Sequence, residues 1–150
     1  MNPGYKPEIK KQEDSGNVYY IVNWSALQKA DKYDIIKTVP SVSGIYELYY
    51  MDEKKKLNLF YVSKAWYGGL RHSLRKLTDP ELVRDPARHK VLNDYDCYYR
   101  YSLTNSYADM SDIIYFFART YFPPSVKAEH SGRYIDIFVD EHSPDKIITI

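Results

Sequence analysis

Cysteine is almost absent from this 150-residue chain, Cys97 standing alone. No internal disulfide can therefore form, and no Cys-x-x-Cys metal knuckle is available. The few glycines build no phosphate-cradling loop behind a strand. His89, His130 and His142 are scattered without metal-ligand spacing. Neither sign of charge is in excess, 21 basic residues facing 20 acidic ones for a net +1, so any nucleic-acid binding must rest on a local patch rather than on the field of the whole domain. No apolar run approaches the roughly 20 residues that cross a bilayer; the longest candidate, "DIIYFFARTYF", is broken by Arg119. The opening "MNPGYKPEIKKQEDSGN" has no charged stretch followed by an apolar one, as a secretory leader would. A cytoplasmic protein with no membrane association is the expectation.

The chain is rich in tyrosine, with 17 of its 150 residues spread over nearly every strand-like segment. A phenol joins a large apolar body to a wet hydroxyl, which suits half-buried sheet positions and, less often, surfaces that meet bases or phosphates. The length suits one domain, which needs no covalent staple at this size.

Residues 1–16 mix Pro, Gly, Lys, Glu and Asp without apolar periodicity and read as a flexible arm, leaving 17–150 as a single domain. "NVYYIVN" has strand composition, and "WSALQKADKYDIIKTV" reads as a helix capped by Asn23 or Ser25 and stopped before Pro40. "SGIYELYYMD" and "LNLFYVSK" form a hairpin with a solvated "EKKK" tip. "GGLRHSLRKL" is a helix whose Leu70, Leu74 and Leu77 share one face and whose Arg71 and Arg75 share another. A loop with a short helix from about Pro86 to Leu92 follows, then the strand "CYYRYSLT" and a helix over "SYADMSDIIYFFARTYF" that stops at Pro123 and Pro124. The end reads as a hairpin, with a strand in "RYIDIFVDEH", a turn at Ser143–Pro144–Asp145 and a last strand. The fold class is α+β, a small, mainly antiparallel sheet flanked by helices.

"GIY" at Gly44 to Tyr46, "YVSKA" at Tyr61 to Ala65 and an arginine at Arg71, ten residues beyond Tyr61, resemble the GIY-YIG nuclease family. The resemblance covers about residues 39–124, with the N-terminal strand and helix and the C-terminal hairpin as additions. It implies metal-dependent hydrolysis of a nucleic-acid phosphodiester. A carboxylate would hold Mg²⁺ or Mn²⁺, the Tyr46 and Tyr61 hydroxyls would serve proton transfer, and Arg71 would stabilise charge on the phosphate. Independently, "RHKVLNDYDCYYRYS" interleaves Arg88, Lys90 and Arg100 with tyrosines, a run expected to line a nucleic-acid groove beside Lys64, Arg71, Arg75 and Lys76.

The chain departs from the family pattern at four places. Ser63 replaces the glycine of the second motif. Arg75 stands one turn after Arg71 where the family has histidine or tyrosine, and an arginine cannot act as a base; His72 is turned about 100° from Arg71. No glutamate lies on the last helix of the core, which makes Asp112 the nearest metal ligand, with Asp109 one turn before it. Ser125 stands near the family's terminal asparagine. These departures set an active but weakened or inactive nuclease against an alternative, a non-catalytic module that binds nucleic acid or a protein through the same surface.

Overall fold

The computed structural model describes residues 5–66, 68–121 and 128–145. Strands β1 (Ile9–Asp14), β2 (Asn17–Asn23) and β3 (Gln28–Lys29) lead to helix α1 (Lys32–Thr38). Strands β4 (Gly44–Met51) and β5 (Leu57–Ala65) follow, then α2 (Gly69–Thr78), α3 (Pro86–Asp94), β6 (Asp96–Leu103), α4 (Tyr107–Thr120) and β7 (Ile137–His142). The strands form two sheets, one in the order β3-β6-β4-β5 and one in the order β1-β2-β7. All pairings are antiparallel except β2 with β7. This is an α+β fold.

The layering follows from the period of β4, in which successive side chains point to opposite sides of the sheet. Ile45, with Val62 of β5, packs against Met110, Ile113, Ile114 and Phe117 of α4. Tyr46 and Leu48 point the other way, onto Ile35 of α1 and Leu70 and Leu74 of α2. Helix α4 is covered a second time by Val18, Tyr20 and Val22 of β2, so it runs between the two sheets. Burying one such aliphatic side chain contributes about 1.5–3 kcal/mol, and the helix presents apolar side chains on two flanks.

The core accommodates four fully buried tyrosines, Tyr20, Tyr46, Tyr49 and Tyr99. Three of their hydroxyls reach partners: Tyr20 donates to Asp109 (2.9 Å), Tyr49 to Glu47 (2.7 Å) and Tyr99 to Gln28 (3.0 Å). A buried phenol needs such a partner.

Three segments depart from the sequence reading. Residues 9–14 are a strand, not an arm. They pair with β2 from Ile9↔Val22 to Asp14↔Asn17 across a two-residue turn, Ser15 and Gly16, both at positive φ (53° and 86°). That turn suits the twist of a hairpin, and β1 is held by backbone pairing, since five of its six side chains are exposed. The helix expected from Trp24 starts only at Lys32, capped by Asp31, whose carboxylate accepts from the N–H groups of Tyr33 and Asp34. Ser25 instead exchanges hydrogen bonds with Tyr101 at the start of the β6 pairing. At the C-terminus, β7 pairs in parallel with β2, and the last strand of the expected hairpin lies outside the described residues, as do Pro123 and Pro124.

Gly44 has a packing reason. A Cβ there would lie 2.3 Å from the Ser102 carbonyl oxygen and 2.9 Å from a Leu70 methyl, because β4 runs directly between the β6 backbone and α2. We expect Gly44→Ala to destabilise the fold by about 1–3 kcal/mol, read as a lower urea midpoint with an unchanged m-value.

Candidate functional site

Tyr46 and Tyr61 come together on the helical side of the four-stranded sheet. Tyr46 pairs across the strands with Ser63 and Leu48 with Tyr61, and the two rings are 6.1 Å apart. Burial pushes the Tyr46 phenol well up and its neighbour Tyr61 adds to this, while Ser63 and Arg88 pull the other way. A phenol held in its neutral form at physiological pH is a poor proton acceptor. Tyr46 is also only 2% exposed, so its ring is core.

Arg71 is anchored by a backbone contact. Gly68 caps α2 in the left-handed region without a side-chain bond. The first N–H groups of the helix instead reach back to the segment after α1, Leu70 to the Val42 carbonyl (2.8 Å) and Arg71 to the Pro40 carbonyl (3.2 Å). The Arg71 side chain does the same, Nε donating to the Val39 carbonyl at 2.7 Å. It closes the end of α1, where orphan carbonyls need donors. The arginine that meets the tyrosines is Arg88 of α3, its guanidinium 4.3 Å from the centre of the Tyr61 ring.

Beside that stack lies a cleft of about 650 Å³ between α2, α3 and the loop joining them. Its basic lining is His72, Arg75, Lys76, Arg84 and Arg88, and its apolar lining is Leu77, Leu82 and Val83. No carboxylate lines it, and among the described residues none of these five side chains pairs with one. Two acids of the connecting loop are engaged by backbone: Asp79 accepts from the Glu81 N–H (3.0 Å) and Asp85 from the Arg88 N–H (3.1 Å), while the exposed Glu81 does not line the cleft. Arg75 and Lys76, both named in the sequence analysis, line it from the last turn of α2. Arg84 was missed, and Arg88 was noted only as part of a basic run. Their convergence depends on how α3 folds back, which no local periodicity reports.

Lys64 does not join this cleft. It alternates with Ser63 and Ala65, so it points to the α4 side, where Nζ meets Ser111 Oγ at 3.1 Å and stands 4.6 Å over the Tyr107 ring. Arg100 is a core residue. Its Nε donates to Glu47 at 2.6 Å and its guanidinium stacks 4.6 Å over Trp24.

Asp112 is the clearest correction. It sits on α4, across the sheet from Tyr46 and Tyr61, 1% exposed and paired with Arg133 at 2.9 Å. Its neighbour Asp109 accepts from Tyr20 (2.9 Å), Lys11 (3.2 Å) and Arg133 (3.3 Å). Each of the two carboxylates is held by a cation, Lys11 also approaching Glu13 at 3.8 Å. Asp112 Oδ1 has no hydrogen-bond partner among the described residues but is buried, and one buried oxygen does not supply the near-octahedral oxygen ligation that Mg²⁺ demands. Among the described residues no group of three or more His, Cys, Asp or Glu side chains could hold a metal. Glu47 is no substitute, being buried on the α4 side against Arg100 and the Tyr49 hydroxyl. The residues present therefore do not fit the divalent cation that the resemblance implies.

A family model described as "Uncharacterised protein" matches residues 8–150. The chain belongs to that family. No curated protein and no solved structure matches it. The matched span takes in β1 and β7, so the three-stranded sheet belongs to the family unit along with the four-stranded one.

The acidic cluster is a stability device with a pH signature. Burial alone would raise the Asp109 carboxyl, but hydrogen bonds from Tyr20, Lys11 and Arg133 and the charge of Lys11 hold it below its ordinary value. A carboxyl depressed in the folded state stabilises it above the ordinary aspartate range of about 4, and that contribution is lost as pH falls through the folded value. Melting temperatures of the wild type should therefore fall between about pH 5 and pH 3, and Asp109→Asn should show a shallower fall over the same interval. Equal slopes would mean that Asp109 is not the group responsible.

Proposed function

We propose that this chain is a GIY-YIG-like domain that binds nucleic acid through the α2–α3 cleft and does so without metal-dependent hydrolysis. The observation that carries the reading is the convergence of His72, Arg75, Lys76, Arg84 and Arg88 on one concave surface whose lining holds no carboxylate. With a net charge of +1, such segregation of basic groups is a local footprint for phosphates, to which arginine donates in bidentate fashion.

The likeness to the nuclease family supports the reading in a second way. The strand carrying Gly44–Ile45–Tyr46 is central, flanked by β5 and β6, and α2 follows β5 directly. The cleft opens on the same side of the sheet as Tyr46 and Tyr61, where the resemblance implies that a phosphate would lie. What argues against hydrolysis is chemical. Tyr46 stays protonated, Arg71 is bonded to a backbone carbonyl, Arg75 cannot be a base, and the nearest carboxylate of the expected role lies across the sheet with Arg133.

Fluorescence anisotropy with a labelled 20-nucleotide probe over a salt series tests this. Affinity should fall steeply with salt, and Arg75→Ala or Arg84→Ala should each weaken binding and lower the salt slope by roughly 0.7–0.9. Both side chains are exposed, so neither change should shift the melting temperature appreciably. Asp112→Asn should leave binding as it was. Incubation with Mg²⁺ or Mn²⁺ should yield no nicked product; cleavage abolished by Arg71→Ala would restore the nuclease reading.

A further inference from the structure

We infer that the α2–α3 cleft takes an unpaired nucleotide, its base on the apolar lining and its phosphates on the basic groups, so that the domain selects single-stranded over duplex nucleic acid. This rests on the nucleic-acid-binding reading and adds to it what the cleft recognises. A surface that only follows a duplex backbone needs a broad basic face wide enough for the whole helix, since duplex phosphates lie on the outside and the bases are stacked within it. Here the basic groups surround a cavity of about 650 Å³, within the range of small-molecule sites.

Part of the cavity lining is apolar. Val83 is 8% exposed and Leu82, on the connecting loop, is 50% exposed; Leu77 completes the apolar lining from α2. Leu82 joins Leu77 and Val83 in one apolar stretch of lining among the basic groups, a surface that a flat apolar body can cover. Arg88 adds a second feature suited to a base. Its guanidinium lies 4.3 Å from the centre of the Tyr61 ring, and a planar cation held by one ring can offer its other face to a base. A base between Arg88 and the leucines, with its phosphate carried outward to Arg75, Lys76 and Arg84, uses every class of group in the lining. Stacking of this kind is available to any base, so the cleft reads strandedness rather than sequence.

The test compares the full chain on a 20-nucleotide single strand and on a hairpin duplex of equal phosphate count, at one low salt concentration, with three variants. The single strand should bind roughly tenfold more tightly. Leu82→Ser should erase most of that preference while leaving duplex affinity within about twofold, because it keeps the charge of the lining and removes only apolar surface; Arg88→Lys should weaken the single strand by a larger factor than the duplex. Arg75→Ala should weaken both probes together. With the wild type alone, a nucleoside 5′-monophosphate should displace the single strand at a concentration at least roughly tenfold below that of inorganic phosphate, which decides the matter even if a variant does not fold. Equal binding of both probes, or displacement by phosphate and nucleotide alike, overturns the inference and leaves nucleic-acid binding standing. Absence of binding to either probe overturns both readings.

Discussion

The alternation of side chains along β4 is the constraint on which the other features depend. One residue step separates Ile45, which meets α4, from Tyr46, which meets α2. The next step puts Glu47 back among Arg100 and Tyr49. Because the period is two, the strand divides the molecule into a side that is all packing and ion pairs and a side that opens to solvent at a basic cleft. A single-residue slip of register would send Glu47 toward Leu70 and Leu74 and the tyrosine into the helix sandwich, so neither side could form. The tight approach of Gly44 to the Ser102 carbonyl helps to fix that register.

The packed side is joined by charge as well as by apolar surface. Arg100 of β6 donates to Glu47 of β4 and approaches Glu141 of β7 at 3.8 Å, while the Trp24 indole donates to Glu141 at 2.9 Å. One guanidinium thereby touches both sheets. Burial works against keeping Arg100 charged, and Glu47 and Tyr49 restore it. Removing one partner of such a pair leaves the other charge uncompensated, at a cost of about 3–5 kcal/mol. The three-stranded sheet is therefore not a loose addition to a smaller core. Its β7 supplies the second carboxylate that Arg100 uses, and its β2 supplies a wall of the α4 layer.

How far the sequence could be read follows from where each feature gets its determinants. The β4–β5 hairpin, α2 and α4 were legible because their apolar spacing is local and strong; Leu70 and Leu74 sit on the sheet as their spacing required. The pairing of Tyr46 with Tyr61 was legible too, since both lie on strands of known period. Strand β1 was not, because "IKKQED" has no apolar alternation and is ordered by backbone pairing; its only signal was the Ser15–Gly16 turn. The segment from Trp24 to Ala30 looked helical by composition, yet Trp24 is drawn into the core and Gln28 into a bridge with Tyr99, so tertiary contacts override propensity. For the site, the sequence carried residue types but not facing. A 3.6-residue period tells which positions of α4 lie together and says nothing about which sheet they look at, and that is why Asp112 read as a metal ligand for the site of Tyr46 when it faces Arg133. Arg71 and Arg88 are the same case in reverse: the first is at the expected spacing and bonded to Val39, the second lies on a weakly marked helix and meets Tyr61.

The hairpin of β1 and β2 has a further consequence. In the sheet order β1-β2-β7, the outer strand is the polar "IKKQED" and the strand beneath it is "NVYYIVN". The inner strand is rich in β-branched and aromatic residues and carries no charge, the composition that adds readily to another chain's edge, whereas a border strand with two lysines resists such addition. Seen this way, β1 is a guard against self-association, and a truncated chain beginning at Asn17 would present an unprotected template for intermolecular sheet growth.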